Sequence, residues 1–175
     1  MTAFDVRPVS SERAHIGMLR DLLTETVASG GSVSFMHPLD PAEAENFWVS
    51  ALKSAESGER IILGAFDGDK LAGTVSLFFV QAANQPHRAE IGKLMTAVSY
   101  RGQGVATLLM QAAETLARQH GRSHLMLDTA SEGGAVALYE RLGFIRVGEV
   151  PDFALKPHGG VTGTVYFWKA LKPAE

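Results

Sequence analysis

The stretch from residue 88 to residue 129 constrains the fold of this chain more than any other. Two short apolar runs, Arg88–Ala97 and His124–Thr129, flank a segment over Gly104–His120 whose apolar residues recur at helical spacing. Two strands joined through a helix are parallel neighbours, because the crossover brings the chain back to the same end of the sheet. The sequence therefore predicts a βαβ unit in which these two strands lie side by side.

Seven strands and four helices are predicted along the whole chain. The first helix is expected to follow a cap at Ser10 or Ser11, and the second begins at Asp40-Pro41, a capping residue followed by a proline suited to the first helical turn. The last helix ends before Gly143. The strands cover residues 4–9, 60–66, 70–80, 88–97, 124–129, 144–150 and 161–171. We therefore expect a mixed α/β fold with a mostly antiparallel sheet.

Composition limits the class of function. The 175 residues carry a formal net charge of -3 with scattered Lys and Arg, which gives no basic surface for nucleic acid. The chain has no cysteine, which excludes disulfides, thiolate metal sites and a cysteine nucleophile. No apolar run approaches the roughly 20 residues that span a bilayer, and the first residues lack a signal-peptide pattern. We expect one soluble, cytoplasmic domain over residues 1–175 that binds neither nucleic acid, membrane nor metal.

A glycine-rich segment, Arg101-Gly102-Gln103-Gly104-Val105-Ala106, lies between a predicted strand and a predicted helix. Glycine lets the backbone approach a ligand closely, and the free N–H groups of a first helical turn favour an anion such as a pyrophosphate. Taken alone, such a short signal is more typical of an ordinary turn. A P-loop needs Gly-Lys-Ser/Thr, and a Rossmann fingerprint needs a small residue where Thr107 stands, so neither motif fits.

Two motifs together resemble those of the GNAT acetyltransferase superfamily. They are Arg101-x-x-Gly104-x-Ala106 and, downstream, Leu138-Tyr139-Glu140-x-x-Gly143-Phe144. The resemblance implies a GNAT fold, in which the parallel strands are splayed and helices cover both faces of the sheet, and an acetyl-CoA-dependent N-acetyltransferase. It implies that acetyl-CoA is bound by the glycine-rich segment and the strand before it, through Leu94, Met95, Thr96, Arg101, Gly102, Gln103, Gly104, Val105 and Ala106.

Shorter stretches in both halves of the chain resemble acetyltransferases of the tabtoxin-resistance type. Among them are Gly31-Ser32-Val33-Ser34-Phe35-Met36, Arg88-Ala89-Glu90 and Leu127-Asp128-Thr129. This likeness implies that the acceptor is a small polar amine that resembles an amino acid or a β-lactam. Because mobile glycine-rich loops often carry function, we expect the loop at 29–36 to face the substrate through Ser32, Phe35 and Met36.

Acetyl transfer needs a base, because an alkylammonium has a pKa of roughly 10 and attacks only as the free amine. Glu90 and Asp128, on the two predicted parallel strands, are the candidates, and each could instead be a solvated charge at a strand end. We expect both carboxylates to face one cleft.

The family match implies that Tyr139 protonates the departing thiolate, whereas helical periodicity alone would make it a core residue. It also implies a backbone oxyanion donor within residues 94–96. Without a cysteine or a Gly-x-Ser-x-Gly motif, direct transfer in a ternary complex is the simpler mechanism.

The sequence leaves the acceptor open. The first hypothesis is a small-molecule amine, and the alternatives are a protein lysine or N-terminus, or a non-catalytic acyl-CoA sensor. A compact acceptor pocket would oppose a protein substrate, and an open groove would support one. The late segment 153–163 could contribute to an interface, and with it a homodimer is a further hypothesis.

Overall fold

A computed structural model describes residues 4–172 of the chain. Its helices are α1 (Arg13–Ala28), α2 (Pro41–Glu56), α3 (Val105–Gln119) and α4 (Ala135–Arg141). Its strands are β1 (Asp5–Pro8), β2 (Arg60–Asp67), β3 (Lys70–Phe79), β4 (Arg88–Thr96), β5 (His124–Ala130), β6 (Ile145–Leu155) and β7 (Val161–Ala170).

All seven strands form one sheet in the order β1-β2-β3-β4-β5-β7-β6. Neighbouring strands are antiparallel except β4 and β5, so the predicted parallel pair and the mostly antiparallel sheet are confirmed. The parallel pairing is short and ends at Glu90 opposite Met126. Beyond that point β4 stays paired with β3 as far as Thr96, and β5 stays paired with β7 as far as Ala130. The sheet therefore opens between β4 and β5, which confirms the predicted splay.

Helices cover both faces of the sheet, as expected. On one face α1 and α2 pack around Trp48, which is fully buried. On the other face α3 and α4 pack against β3, β5 and β7 through side chains such as Leu109 and Phe167. Among the described residues, no helix combines the length and the apolar character needed to cross a bilayer.

Local sequence signals predicted some element boundaries correctly and others incorrectly. Asp40 caps α2 by accepting a hydrogen bond from the Ala42 amide at 2.8 Å, as predicted. The expected cap of α1 is wrong: the helix begins at Arg13, so that Glu12 and not Ser10 or Ser11 occupies the N-cap position, and no side chain caps the helix. Strand β6 extends past its predicted end to Leu155, since a pairing irregularity between Val150 and Ala154 accommodates the intervening proline.

Candidate active site

The divergence of β4 and β5 opens a cleft of about 1100 Å³. Its walls come from the end of β4, the glycine-rich segment with the start of α3, α4, the β6–β7 hairpin and the loop after α1. Eight of the nine predicted coenzyme-binding residues line it: Leu94, Met95, Thr96, Arg101, Gly102, Gly104, Val105 and Ala106. Gln103 does not line the cleft, because its side-chain amide donates to the Ser99 carbonyl oxygen at 3.0 Å.

The glycine-rich segment presents bare backbone to this cleft. Gly102 and Gly104 have φ of 74° and 83°, the left-handed region that favours glycine, and a Cβ at either position would meet no atom within 4 Å. Gly104 directly precedes α3, whose first-turn N–H groups have no partner earlier in the helix. Arg101 is held beside the turn by a 2.9 Å hydrogen bond from Nη2 to the Ser29 hydroxyl. Open space, free N–H groups and a cation together fit a pyrophosphate.

The free edge of β4 forms another wall. Because β5 stops pairing with β4 at Glu90, the backbone of Ile91–Thr96 has no strand partner on the cleft side among residues 4–172. Unpaired N–H groups along such an edge are strong donors. They are suited to hold a carbonyl oxygen that gains negative charge.

Asp128 extends from β5 into the same cleft. Its Oδ2 accepts a hydrogen bond of 2.8 Å from the Thr164 hydroxyl on β7. Thr164 is 3% exposed, whereas Asp128 itself is exposed. A buried donor therefore fixes one carboxylate oxygen and leaves the other available to a ligand.

Glu90 lies on the same face of the sheet as Asp128 but does not line the cleft. It sits opposite Phe78 and Met126, in the last register position before the strands part. Its side chain is 53% exposed, and Oε1 accepts a 3.1 Å hydrogen bond from Arg88 Nη2. The expectation that both carboxylates face one cleft is thus met by Asp128 and not by Glu90, which points outward at the rim.

Tyr139 belongs both to the core and to the cleft. Its ring packs against Phe144 and Phe167 with centroid distances of 5.9 Å, and only 6% of the residue is exposed. The residue also lines the cleft. Burial, reinforced by the negative charge of Asp128, raises the pKa of Tyr139 to about 12. Its hydroxyl is therefore a stable hydrogen-bond donor around neutral pH.

The loop after α1 contributes different residues from those expected. Ser32 lines the cleft, but Phe35 and Met36 do not. Phe35 packs edge-on against Phe47 of α2 at 5.2 Å, and Met36 is 45% exposed. Val33 and Ser34 line the cleft in their place.

Lys93 is a cleft residue that the sequence analysis missed. Its Nζ donates to the Val33 carbonyl oxygen at 2.9 Å and to the Ser34 hydroxyl at 3.0 Å. Burial lowers the pKa of the Lys93 ammonium, while the charge of Asp128 opposes that shift. A lysine between the apolar residues Ile91 and Leu94 of β4 was the signal that could have identified it.

The β6–β7 loop crosses to the first helices and closes one side of the cleft. The His158 ring lies with Nε2 2.9 Å from the Ala28 carbonyl oxygen at the end of α1. The His37 amide donates to the Pro157 carbonyl oxygen at 2.9 Å, and the His37 and His158 rings lie 4.4 Å apart. Lys156 and Phe153 of the same hairpin line the cleft.

This chain belongs to the GNAT acetyltransferase family, because the sequence model of that family, described as acetyltransferase (GNAT) family, matches residues 20–144. Its curated relatives include proteins named as N-acetyltransferases, in agreement with this family.

One curated relative is N-alpha-acetyltransferase 30 of Schizosaccharomyces pombe, which is 35% identical over 83 residues, or 47% of this chain and 55% of the relative. The chain spans about half the length of the curated relatives it matches.

Solved structures share the fold over nearly the whole chain. Ribosomal-protein-alanine N-acetyltransferase from Brucella melitensis has a TM-score of 0.80 and 20% identity, and the match covers 95% of this chain and 99% of that one. The yncA acetyltransferase from Salmonella typhimurium, solved with acetyl-CoA, has a TM-score of 0.81 and 14% identity over 99% and 96% of the two chains. At these identities the likeness concerns the fold.

Proposed function

We propose that this chain transfers the acetyl group of acetyl-CoA directly to the amine of a small polar molecule. The observation that carries the proposal is the cleft itself, which has a glycine-rich anion cradle and a fixed carboxylate, Asp128, on its walls. The resemblance to acetyltransferases of the tabtoxin-resistance type supports an amino-acid-like or β-lactam-like acceptor.

The coenzyme would be held by backbone rather than by a cluster of charged side chains. The N–H groups of Gly102, Gly104 and the first turn of α3 would bind its pyrophosphate, with Arg101 adding a positive charge. The open space around both glycines leaves room for phosphate oxygens against the backbone. Leu94, Met95 and Thr96 would line the path of the pantetheine arm along the free edge of β4.

Bound acetyl-CoA supplies a thioester whose carbonyl carbon bonds to the amine nitrogen while its bond to sulfur breaks. Asp128 accepts the proton that the amine loses and passes it to water. The free N–H groups of the Leu94–Thr96 edge donate to the carbonyl oxygen as its negative charge grows.

Tyr139 would stabilise the departing sulfur by a hydrogen bond rather than by full proton transfer. A thiol has a pKa of roughly 8.5. The pKa of Tyr139 is about 12, so its phenol is a much weaker acid than the thiol that would form. The sulfur therefore leaves as a thiolate and takes its proton from water. This refines the role that the family resemblance implies for Tyr139.

A small acceptor is favoured because the β6–β7 loop bridges one side of the cleft. The contacts of His158 with Ala28 and of His37 with Pro157 join the β6–β7 loop to the first helices, where an extended polypeptide would need an open groove. N-terminal acetylation of a protein is the second candidate, since the Schizosaccharomyces pombe relative carries the name N-alpha-acetyltransferase.

A panel of acceptors separates these functions. Release of coenzyme A thiol would be followed with amino acids, β-lactam-like amines, lysine peptides and peptides with a free N-terminus, and acetyl-CoA binding would be measured separately by calorimetry. We expect turnover on small amines and little on peptides. Preference for a peptide would replace the proposal with a protein acetyltransferase. Binding without turnover on any acceptor would make the chain an acyl-CoA sensor.

A further inference from the structure

We infer that Lys93 binds the carboxylate of a zwitterionic acceptor whose amine faces Asp128, so that the cleft selects small α-amino acids that carry a free carboxylate. The inference rests on the proposed small-amine function, and it names the substrate class and the residue that recognises the substrate carboxylate.

A bulge in β4 directs Lys93 into the cleft. Gly92 pairs with Ser76 and Met95 pairs with Thr74, so that two residues of β4, Lys93 and Leu94, oppose the single Val75 of β3. Bulges of this kind turn a side chain away from the regular alternation and are common beside active sites. Lys93 also has a φ of 53°, a left-handed conformation that is uncommon for a lysine. The backbone is thus shaped around the position of this side chain.

The Lys93 ammonium is held in place with a donor to spare. An ammonium has three N–H donors, and two are used by the Val33 carbonyl oxygen and the Ser34 hydroxyl. The rings of Phe35 and Phe47 flank it, with centroids 5.9 Å and 5.7 Å from Nζ. Within the described part of the chain Lys93 forms no salt bridge. A half-buried cation without an anionic partner is suited to bind an anionic group of a ligand.

The Lys93 cation and the Asp128 carboxylate line the same cleft but are not paired. The charge of Asp128 raises the pKa of Lys93 against the effect of burial, yet the two groups form no ion pair. Gly92, the neighbour of Lys93 on β4, also lines the cleft and contributes no side chain to it. Separated opposite charges on the walls of one cleft are complementary to a molecule that carries an ammonium and a carboxylate on the same carbon atom.

Three other basic residues line the cleft. Lys156 pairs with Glu132 at 3.1 Å, Arg101 bonds to Ser29 beside the glycine-rich turn, and Arg141 is the last residue of α4. Lys93 differs from them in lying on the free edge of β4 with its charge coupled to that of Asp128. Its bonds to Val33 and Ser34 would also fasten the loop after α1, and a test must separate this structural role from recognition.

The test compares a small amino acid with its α-carboxamide as acceptors, by kcat/KM from thiol release. The two acceptors share the side chain and differ in the negative charge, and kcat/KM is expressed per concentration of free amine because the carboxamide lowers the pKa of its amine. In the wild-type protein we expect the acid to be favoured by about 10- to 100-fold, the range for a hydrogen bond to a charged group. Lys93→Met should bring this ratio close to one, Lys93→Arg should restore part of it, and Lys53→Met, at an exposed lysine of α2, should leave it unchanged.

The outcomes are distinguishable. If Lys93 only fastens the loop, Lys93→Met lowers kcat/KM for both acceptors equally and the ratio stays at its wild-type value, which overturns the inference while the proposed function stands. A wild-type ratio of one or less overturns it without any variant, so the result does not depend on the folding of Lys93→Met. Absence of turnover on every small amine, with acetyl-CoA bound, overturns the proposed function and the inference together.

Discussion

The Thr164 hydroxyl on β7 lies 2.8 Å from Oδ2 of Asp128 on β5 and 3.0 Å from the Thr129 carbonyl oxygen. A hydroxyl has one proton, so Thr164 shares it between these two acceptors. The antiparallel pairing of β5 with β7 runs from His124 to Ala130 and keeps both strands rigid at this point. The orientation of Asp128 is therefore set by β7, the neighbour of β5 on the side away from the cleft between β4 and β5.

Thr164→Val should lower kcat by between about tenfold and a hundredfold, because small misplacement of a catalytic group is costly. The affinity for acetyl-CoA should stay at its wild-type value, since Thr164 has no part in the glycine-rich turn. Thr74→Val is the matched control, as Thr74 is also buried and donates to a backbone carbonyl, that of Leu63, at 2.7 Å. Both variants should lose about 1–2 kcal/mol of stability in urea. Equal kcat in the two variants would show that Thr164 does not orient the base.

Gly104→Ala should weaken acetyl-CoA binding at least about tenfold, a change of roughly 1.4 kcal/mol in binding free energy. The φ of 83° at Gly104 strains any residue with a Cβ, and the methyl group would occupy space on the bare face of the turn.

Gly58→Ala is a close control, because Gly58 has a φ of 80°, has no atom within 4 Å of a built Cβ and lies outside the cleft. The two variants should lose similar stability, about 1–2 kcal/mol, with calorimetry showing weaker binding for Gly104→Ala alone. Unchanged binding by Gly104→Ala would mean that the glycine-rich turn does not hold the coenzyme.

The raised pKa of Tyr139 should lower the free energy of unfolding of the protein at high pH. Its pKa rises from the ordinary value of about 10 to about 12 on folding, so the folded state binds the phenolic proton more tightly. The stability that this group contributes is complete below pH about 10 and is lost as the pH rises towards about 12. Urea titrations at increasing pH should show a steeper loss in the wild-type protein than in Tyr139→Phe. Parallel losses, or a tyrosinate absorbance titration in which no tyrosine ionises late, would contradict the account.

An ion pair between the half-buried Lys169 and the buried Glu114 supports α4, the helix that carries Tyr139. Lys169 Nζ lies 2.7 Å from Glu114 Oε1 and donates to the Leu142 carbonyl oxygen at 2.6 Å, where α4 ends. Lys169→Met should cost about 3 kcal/mol, because it leaves the Glu114 carboxylate buried without its closest partner.

The double variant Glu114→Gln/Lys169→Met should recover part of that loss, since no buried charge is left unpaired. Glu149→Gln, which removes the exposed pair with Arg146, should cost at most about 1 kcal/mol. Urea denaturation measures the free energy of unfolding of all three variants. A loss for Lys169→Met as small as that for Glu149→Gln would show that the pair does not stabilise the fold.

Structural features that depend on a few neighbouring residues could be predicted from the sequence. The start of α2 depends on Asp40 and Pro41 alone, and the conformation of the glycine-rich turn depends on Gly102 and Gly104. The parallel pair followed from the order strand, helix, strand. In each case the physical cause is local or topological, and the pattern predicted it.

Features that depend on where strands part could not be predicted. Glu90 and Asp128 are both carboxylates on the predicted parallel strands, and the end of pairing at Glu90 leaves Glu90 outside the cleft and Asp128 within it. Lys93 was missed because a bulge interrupts the alternation that a strand pattern assumes. Phe35 was expected to face the substrate, but the ring of Phe47 offers it an apolar partner.

The most direct test of the account compares Asp128→Asn with Glu90→Gln on the best small-amine acceptor, with kcat/KM from thiol release and acetyl-CoA affinity from calorimetry in the same preparations. We expect Asp128→Asn to lose between about 10²- and 10⁴-fold in kcat/KM, the usual contribution of a general base, while it binds acetyl-CoA as the wild type does. Glu90→Gln, at the exposed rim, should stay within about tenfold of the wild type. Near-normal turnover by Asp128→Asn, or a collapse confined to Glu90→Gln, would contradict the account.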